Sequence, residues 1–304
     1  MNFHSLILAL PGAAAQGLIW GIMAIGVYLT FRILDIADLT VDGTLCTGGA
    51  VCVMMLLSGH HVAVALLVAF IAGLAAGFVT GFLHTFCGIP AILSGILTQL
   101  SLWSVNLKIM GKANQAINVD QFNLLVSLRY IKGVIFTKNT LFIVAVFTIV
   151  IIGILYWFFG TELGSSIRAT GANENMARAQ GINTDLCKVL GLMLSNGLVA
   201  LSGALLAQYQ GFADINMGRG SIVIGLAAVI IGEALLSKIF HNFALRLLGV
   251  SIGSIVYYLV LQVVIWLGVD TDLLKMFSAL VVAVFLSMPH LKAKYMPSAV
   301  KKEV

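Results

Sequence analysis

Charge is what this chain has least of. Only 10% of its 304 residues are Asp, Glu, Lys or Arg, where a soluble domain carries about 25%, so most of its surface does not face water. The formal net charge of +5 is scattered among apolar runs rather than gathered on one helix face, which argues against a nucleic-acid partner. The four cysteines include no Cys-x-x-Cys pair and no histidine at zinc spacing; no metal or other cofactor is expected, and the thiols read as small apolar packers. No Gly-x-x-x-x-Gly-Lys-Ser/Thr run occurs, so the chain has no phosphate-cradling loop of its own. The N-terminus, MNFHSLILALPG, lacks the basic segment of a cleaved signal peptide, and its apolar residues are expected to persist.

Long apolar runs take the place of charge. A helix crosses a bilayer with about 20 apolar residues, and nine stretches qualify: 11–33, 36–57, 62–83, 90–107, 139–159, 188–208, 219–237, 245–267 and 272–289. The fold class is therefore all-α, a polytopic membrane protein of about eight to ten spans. Residues 1–289 form the transmembrane domain and 290–304 a short basic tail. Two spans carry unusual polarity. The first half of 36–57 is polar and glycine-rich, and 90–107 holds Gln99, Ser101, Ser104 and Asn106. Discontinuous helices of this kind line cavities. The glycine runs at 48–50 and 73–77 point to close helix packing.

The longest interruption between apolar runs is Gly160–Lys188, with two glutamates, an aspartate, two arginines, a lysine and three asparagines. Ser165–Gln180 holds no proline and one glycine, and is expected to form a short helix on one aqueous face, since such charge is not tolerated in hydrocarbon. The lysine and arginine bias of the short loops places this stretch and the C-terminus in the cytoplasm and the N-terminus outside; the basic loop 108–138 is the one conflict. The sequence also echoes itself. Ala37-Asp38-Leu39-Thr40 and Ala213-Asp214-Ile215-Asn216 each follow one apolar span and precede another. Five spans separate the two copies, and an odd number reverses the second, giving an inverted repeat.

On Gly164, Arg168, Ala169, Gly171, Asn173, Ala177, Arg178, Gly181 and Ile182, the interruption resembles the cytoplasmic loop of permeases in the branched-chain amino acid and ribose family of bacterial ABC importers. ADLTVDGTLCTGGAV, residues 92–114 and GLAAVIIGEAL extend the resemblance over about 11–289. DLTVDG and LKIMGKAN are closest to a branch that pairs with a binding lipoprotein and an ATPase and includes aromatic amino acid importers. Several relatives have one more span, near the start. The resemblance implies a type II importer-like permease subunit in the bacterial cell membrane. It implies a homodimer, an extracytoplasmic solute-binding protein and a cytoplasmic ATPase as partners, and no catalysis in this chain. It also makes Gly160–Lys188 the coupling loop, with Arg168, Gly171, Asn173, Glu174, Asn175, Arg178 and Gly181 meeting the ATPase, beside an apolar strip of Ala172, Met176 and Ala179.

The remaining polar residues keep two readings each. Asp35, Asp38 and Asp42 share a face if helical, and either line a gate or cap the next helix. Gln99, Ser104 and Asn106 line a pathway or glue helices together. Asp214 and Asn216 face the binding protein or form an exposed turn. Glu233 takes part in gating or pairs with Lys238 one turn on. An ion-coupled secondary transporter is the alternative function; it would need an acidic residue at mid-membrane, and the acidic residues here stand near span ends. A membrane enzyme would need a catalytic cluster, and the six histidines are dispersed.

Overall fold

A computed structural model describes residues 3–118, 122, 124–128, 139–236 and 242–268, and within 273–287 residues 273, 276–280, 282–284 and 287. Eight of the nine expected spans are helices, in order α1 (Phe3–Tyr28), α2 (Val41–Leu57), α3 (Val62–Thr85), α4 (Ala91–Met110), α5 (Thr140–Phe159), α8 (Thr184–Gln210), α9 (Ser221–Leu236) and α10 (Phe243–Trp266). Between α5 and α8 lie two short helices, α6 (Glu162–Ala172) and α7 (Glu174–Ala179). In the ninth span, 272–289, ten residues are described and nine of them are helical, while the tail 290–304 lies outside the described residues. Among the described residues five helices are long and apolar enough to cross a membrane, while α2 and α9 are shorter.

Helices α1 and α8 form the core. In their most apolar windows 78% and 83% of residues are buried, against 28% in α5. They run antiparallel, with Ser195 Oγ donating to the Gly26 carbonyl and Ser202 Oγ to that of Ile19, each at 2.7 Å. Around this pair the chain is interlocked. Helix α2 lies parallel to α8, Thr44 meeting Asn196 and Cys52 meeting Gln208, and α3 runs antiparallel to it through Gly73, Gly77 and Gly81. In the other half α9 lies parallel to α1, from Gly225 near Val27 to Glu233 on Arg32. Helix α10 runs antiparallel to α1 through the approaches of Gly17 to Ile255 and Gly21 to Ser251. The sequence echo is thus an inverted repeat in which each half's second and third helices grip the other half's first.

The echoed aspartates build the same local turn. Asp38 accepts from the Thr40 N–H at 2.9 Å and Asp214 from the Asn216 N–H at 2.7 Å, a short-range bond that Asp forms readily and that opposes helix continuation. Each turn precedes one of the two short helices. The two helices run in opposite directions and their N-termini meet; α2 starts among buried residues, Thr40 and Val41, while Arg219 and Gly220 before α9 are exposed.

Several expectations change. Helix α4 is continuous from Ala91 to Met110, because Ser101 and Thr98 return their hydroxyls to carbonyls one turn back and leave no break. Residues 34–40 are non-helical and Asp35 sits at φ 55, so Asp35, Asp38 and Asp42 share no face. The all-α class gains a minor exception: β1 (Asn114–Ala116), inside the basic loop, pairs antiparallel with β2 (Phe212–Asp214). Three cysteines are buried as expected, but Cys87 is exposed, at the α3–α4 turn rather than in a span.

Candidate functional site: the coupling face and the buried helix starts

The polar interruption forms two helices rather than one. Thr161 caps α6, its hydroxyl accepting from Gly164 N–H at 3.4 Å. Asn173, extended at φ −161, ends α6 and caps α7 by accepting from Met176 N–H at 3.0 Å. An Asn side chain competes with the helix for such N–H groups, which is why it breaks one helix and starts the next. Gly171 lies so close to the Ile33 carbonyl at the end of α1 that a Cβ would overlap it. Gly181, at φ 82, supplies the left-handed turn into α8.

The charges here pair with one another. Arg178 bonds Glu174 at 2.9 Å, Asp185 at 3.1 Å and the Thr184 hydroxyl at 2.7 Å, while Lys188 reaches Glu174 at 2.7 Å. The hydrogen bond from Lys188 holds the Glu174 carboxyl below the usual carboxylate range, with Arg178 adding to it. This network fixes α7 on the start of α8. Ala172, Asn173, Asn175, Met176, Arg178 and Ala179 are exposed, with Met176 61% exposed. Sequence reasoning assigned Glu174 and Arg178 to the docking surface; both are tied into this network, while the Arg178 side chain keeps 55% of its surface open and that of Glu174 38%.

A second cluster lies deep in the bundle. Asp38 is 3% exposed. It accepts from Asn196 Nδ2 at 2.7 Å, Asn196 Oδ1 accepts from Thr44 at 2.7 Å, and the Thr40 and Thr80 hydroxyls meet at 2.7 Å. Asn196 stands twelve residues into α8, about 18 Å along it at ~1.5 Å per residue, well inside a hydrocarbon core of about 30 Å. Asp38 therefore sits in the interior and not at a span end. Asp42 caps a helix as one reading had it, though a distant one. Its carboxylate accepts from Gly220 N–H at 2.9 Å, Ser221 Oγ at 2.8 Å and Ile222 N–H at 3.0 Å, which satisfies the first turn of α9.

Other candidates disperse. Asn106 is buried and donates to the Gly43 carbonyl at 3.3 Å, a helix-packing role; Gln99 is half-buried beside Gly43 and Ser104 is exposed. Asp214 accepts from Asn114 Nδ2 at 3.3 Å beside the β1–β2 ribbon, and Asn216 is exposed. Glu233 pairs with Arg32, bidentate at 2.8 and 3.0 Å; Lys238, its expected partner, lies outside the described residues. Arg32 belongs to a five-residue π-helical turn, Leu29–Ile33, that ends α1, a geometry that turns its side chain across to α9. The sequence reading used Arg32 and Arg246 only to set topology and passed over Tyr28 and Asn196. A lone amide in the apolar run of α8 was the available signal for Asn196. Among the described residues no group of three His, Cys, Asp or Glu gathers to hold a metal.

Comparison with known proteins agrees with this architecture. Curated relatives include the tyrosine transport system permease protein of Clostridioides difficile, 39% identical over 91% of this chain and 90% of its own length. Another is the fructose import permease protein FruF of Bifidobacterium longum, 25% identical over 88% and 73%. The autoinducer 2 import system permease protein LsrC of Salmonella typhimurium is 27% identical over 69% and 58%. No solved structure matches the chain significantly. The profile described as branched-chain amino acid transport system, permease component, matches residues 10–287, and with that match and the 39% relative this chain belongs to the family of branched-chain amino acid transport system permease components.

Proposed function

We propose that this multi-pass permease carries a small polar solute, an amino acid, into a bacterial cell as the membrane subunit of an ABC importer. The tyrosine system named for its 39% relative favours an amino acid; the fructose and autoinducer 2 systems indicate that the same architecture serves unrelated solutes. Choice of solute then belongs mainly to an extracytoplasmic binding protein. A cytoplasmic ATPase supplies the energy, and two copies of this chain form the pathway between them, with Gln99, Ser101 and Ser104 of α4 facing it.

The observation that carries the coupling role is the outward surface of α6 and α7. An exposed Met176 flanked by small residues and held rigid by an internal ion network is suited to enter an apolar groove. Asn173 and Asn175 are its polar rim, with Arg168 on the same pair of helices lining the cleft beside it. Replacing Met176 with glutamate, with membrane abundance held equal, is expected to reduce ATP-driven uptake and copurification of the ATPase about thirtyfold, since a buried anchor at an interface is worth ~2 kcal/mol. Undiminished copurification would refute the docking role.

Orientation follows from the same surface: α6–α7 faces the cytoplasm, and the β1–β2 ribbon faces outside. In a Cys87→Ser background, a cysteine at Ala172 should react with an impermeant maleimide only in inverted vesicles, and one at Asn216 only in intact cells. The reverse pattern would show that the basic loop 108–138 marks the cytoplasmic side.

A further inference from the structure

The end of the bundle that carries α6 also holds a cleft of about 810 Å³ between α1, α6, α9 and α10, with Tyr28, Arg32, Arg168, Glu233 and Arg246 in its wall. Three guanidinium groups thus face one carboxylate. Arg32 is committed to Glu233 through both nitrogens. Arg246 stands in the same wall as Tyr28 and makes no ion pair among the described residues. Arg168 makes no ion pair among the described residues. Two positive charges are left over at one mouth.

That mouth opens sideways. A second hollow of about 580 Å³ shares Arg168 and Phe243 with the first and is lined by Tyr156, Trp157 and Asn242. Trp157 is 72% exposed. Above it Val146, Ile149, Val150 and Ile154, all exposed, recur on one face of α5 at helical spacing. An apolar stripe therefore leads along α5 to an amphipathic indole and then to unpaired arginines. Trp and Tyr rings settle at the headgroup level of a bilayer, and basic pockets between transmembrane helices take anionic lipid heads.

We infer that this cleft is a binding site for an anionic phospholipid, its phosphate held by Arg168 and Arg246 and one acyl chain laid along the exposed face of α5. A soluble anion would find the charge but not use the stripe; a neutral lipid would use the stripe but leave both guanidinium groups unpaired. Because Arg168 stands on α6, a bound lipid also fixes that helix against α10, so the lipid acts on the element that meets the ATPase. The site is separate from the solute pathway and does not depend on which solute is carried.

Native mass spectrometry of the purified permease, with dioleoylphosphatidylglycerol and dioleoylphosphatidylcholine added in equal amounts, tests this. Retention of phosphatidylglycerol is expected to exceed that of phosphatidylcholine by about tenfold or more, two basic side chains near the surface each adding roughly fivefold. The preference should vanish in the Arg168→Gln, Arg246→Gln double variant, weaken in either single variant, and survive in Arg219→Gln, which removes one positive charge away from the cleft. Trp157→Ala should weaken binding of both lipids. Equal retention of the two lipids, or an unchanged preference in a double variant that elutes as a folded species, would overturn the proposal. Displacement of the lipid by millimolar inorganic phosphate would also overturn it, as it would reduce the site to a pocket for free anions.

Discussion

Alanine at Gly48 is expected to leave almost no folded permease in the membrane. Its Cβ would overlap the backbone carbonyl of Ala200 on α8, and neither backbone can yield. Helix α2 is held from its other side by α3, and α8 by α1 and α3. Overpacking a core costs about 1–3 kcal/mol when side chains can move and more when both partners are main chain, against a total stability of about 5–15 kcal/mol. Gly153→Ala on α5 is the control, because a Cβ there meets nothing within 4 Å and alanine favours a helix by ~1 kcal/mol over glycine. Yield and melting temperature in detergent are the measurements. A Gly48→Ala protein that melts within a few degrees of the parent would show that α2 and α8 are not packed backbone to backbone.

Removal of the Asp42 carboxylate should have the next largest effect. In Asp42→Ala the amides of Gly220 and Ile222 and the Ser221 hydroxyl lose their acceptor together. The Gly220 amide is exposed and the other two donors are partly buried; losing a helix cap costs about 0.5–2 kcal/mol, so a loss of about 2 kcal/mol is expected. Asp42→Asn keeps one acceptor oxygen and should fall between the two. The defect is expected at the start of α9, so uptake by the assembled importer should be lost in Asp42→Ala even where some protein survives in the membrane. Equal melting temperatures and equal uptake in Asp42→Ala and the parent would rule the cap out.

Much of this architecture was legible because apolar length is a strong signal. Eight spans fell within a few residues of α1–α5 and α8–α10, since a bilayer fixes how long such runs must be. The inverted repeat was legible from four residues, because Asp at the second position of each echo makes the same turn. The glycines were read correctly as close approaches. The role of the charges was less visible. Glu174 and Arg178 read as free charges on a sequence line, but their partners, Asp185 and Lys188, come from the next helix, and only the turns at Asn173 and Gly181 bring these together. Asp38 looked like a span-end residue because 34–40 borders a helix end; the chain turns back into the protein there, and that turn is tertiary. Its burial removes the premise used against ion coupling, and family membership is what favours the ABC reading. The cleft at Arg32, Arg168 and Arg246 draws on residues more than 200 positions apart, which no local pattern could join.

The interlocked halves also constrain the order of events during synthesis. Asp42 is made 178 residues before the amide of Gly220 that it caps. Asp38 waits 158 residues for Asn196. A chain leaving the ribosome therefore inserts its first four helices with the Asp42 carboxylate at the start of α2 lacking its partners, and α1 lacks two of its neighbours until α9 and α10 emerge. The N-terminal half can pack α2, α3 and α4 on one another but cannot complete its packing alone. The emerging protein must be held in a provisional arrangement, shielded by the insertion machinery or by lipid, until nearly the last described helix is complete.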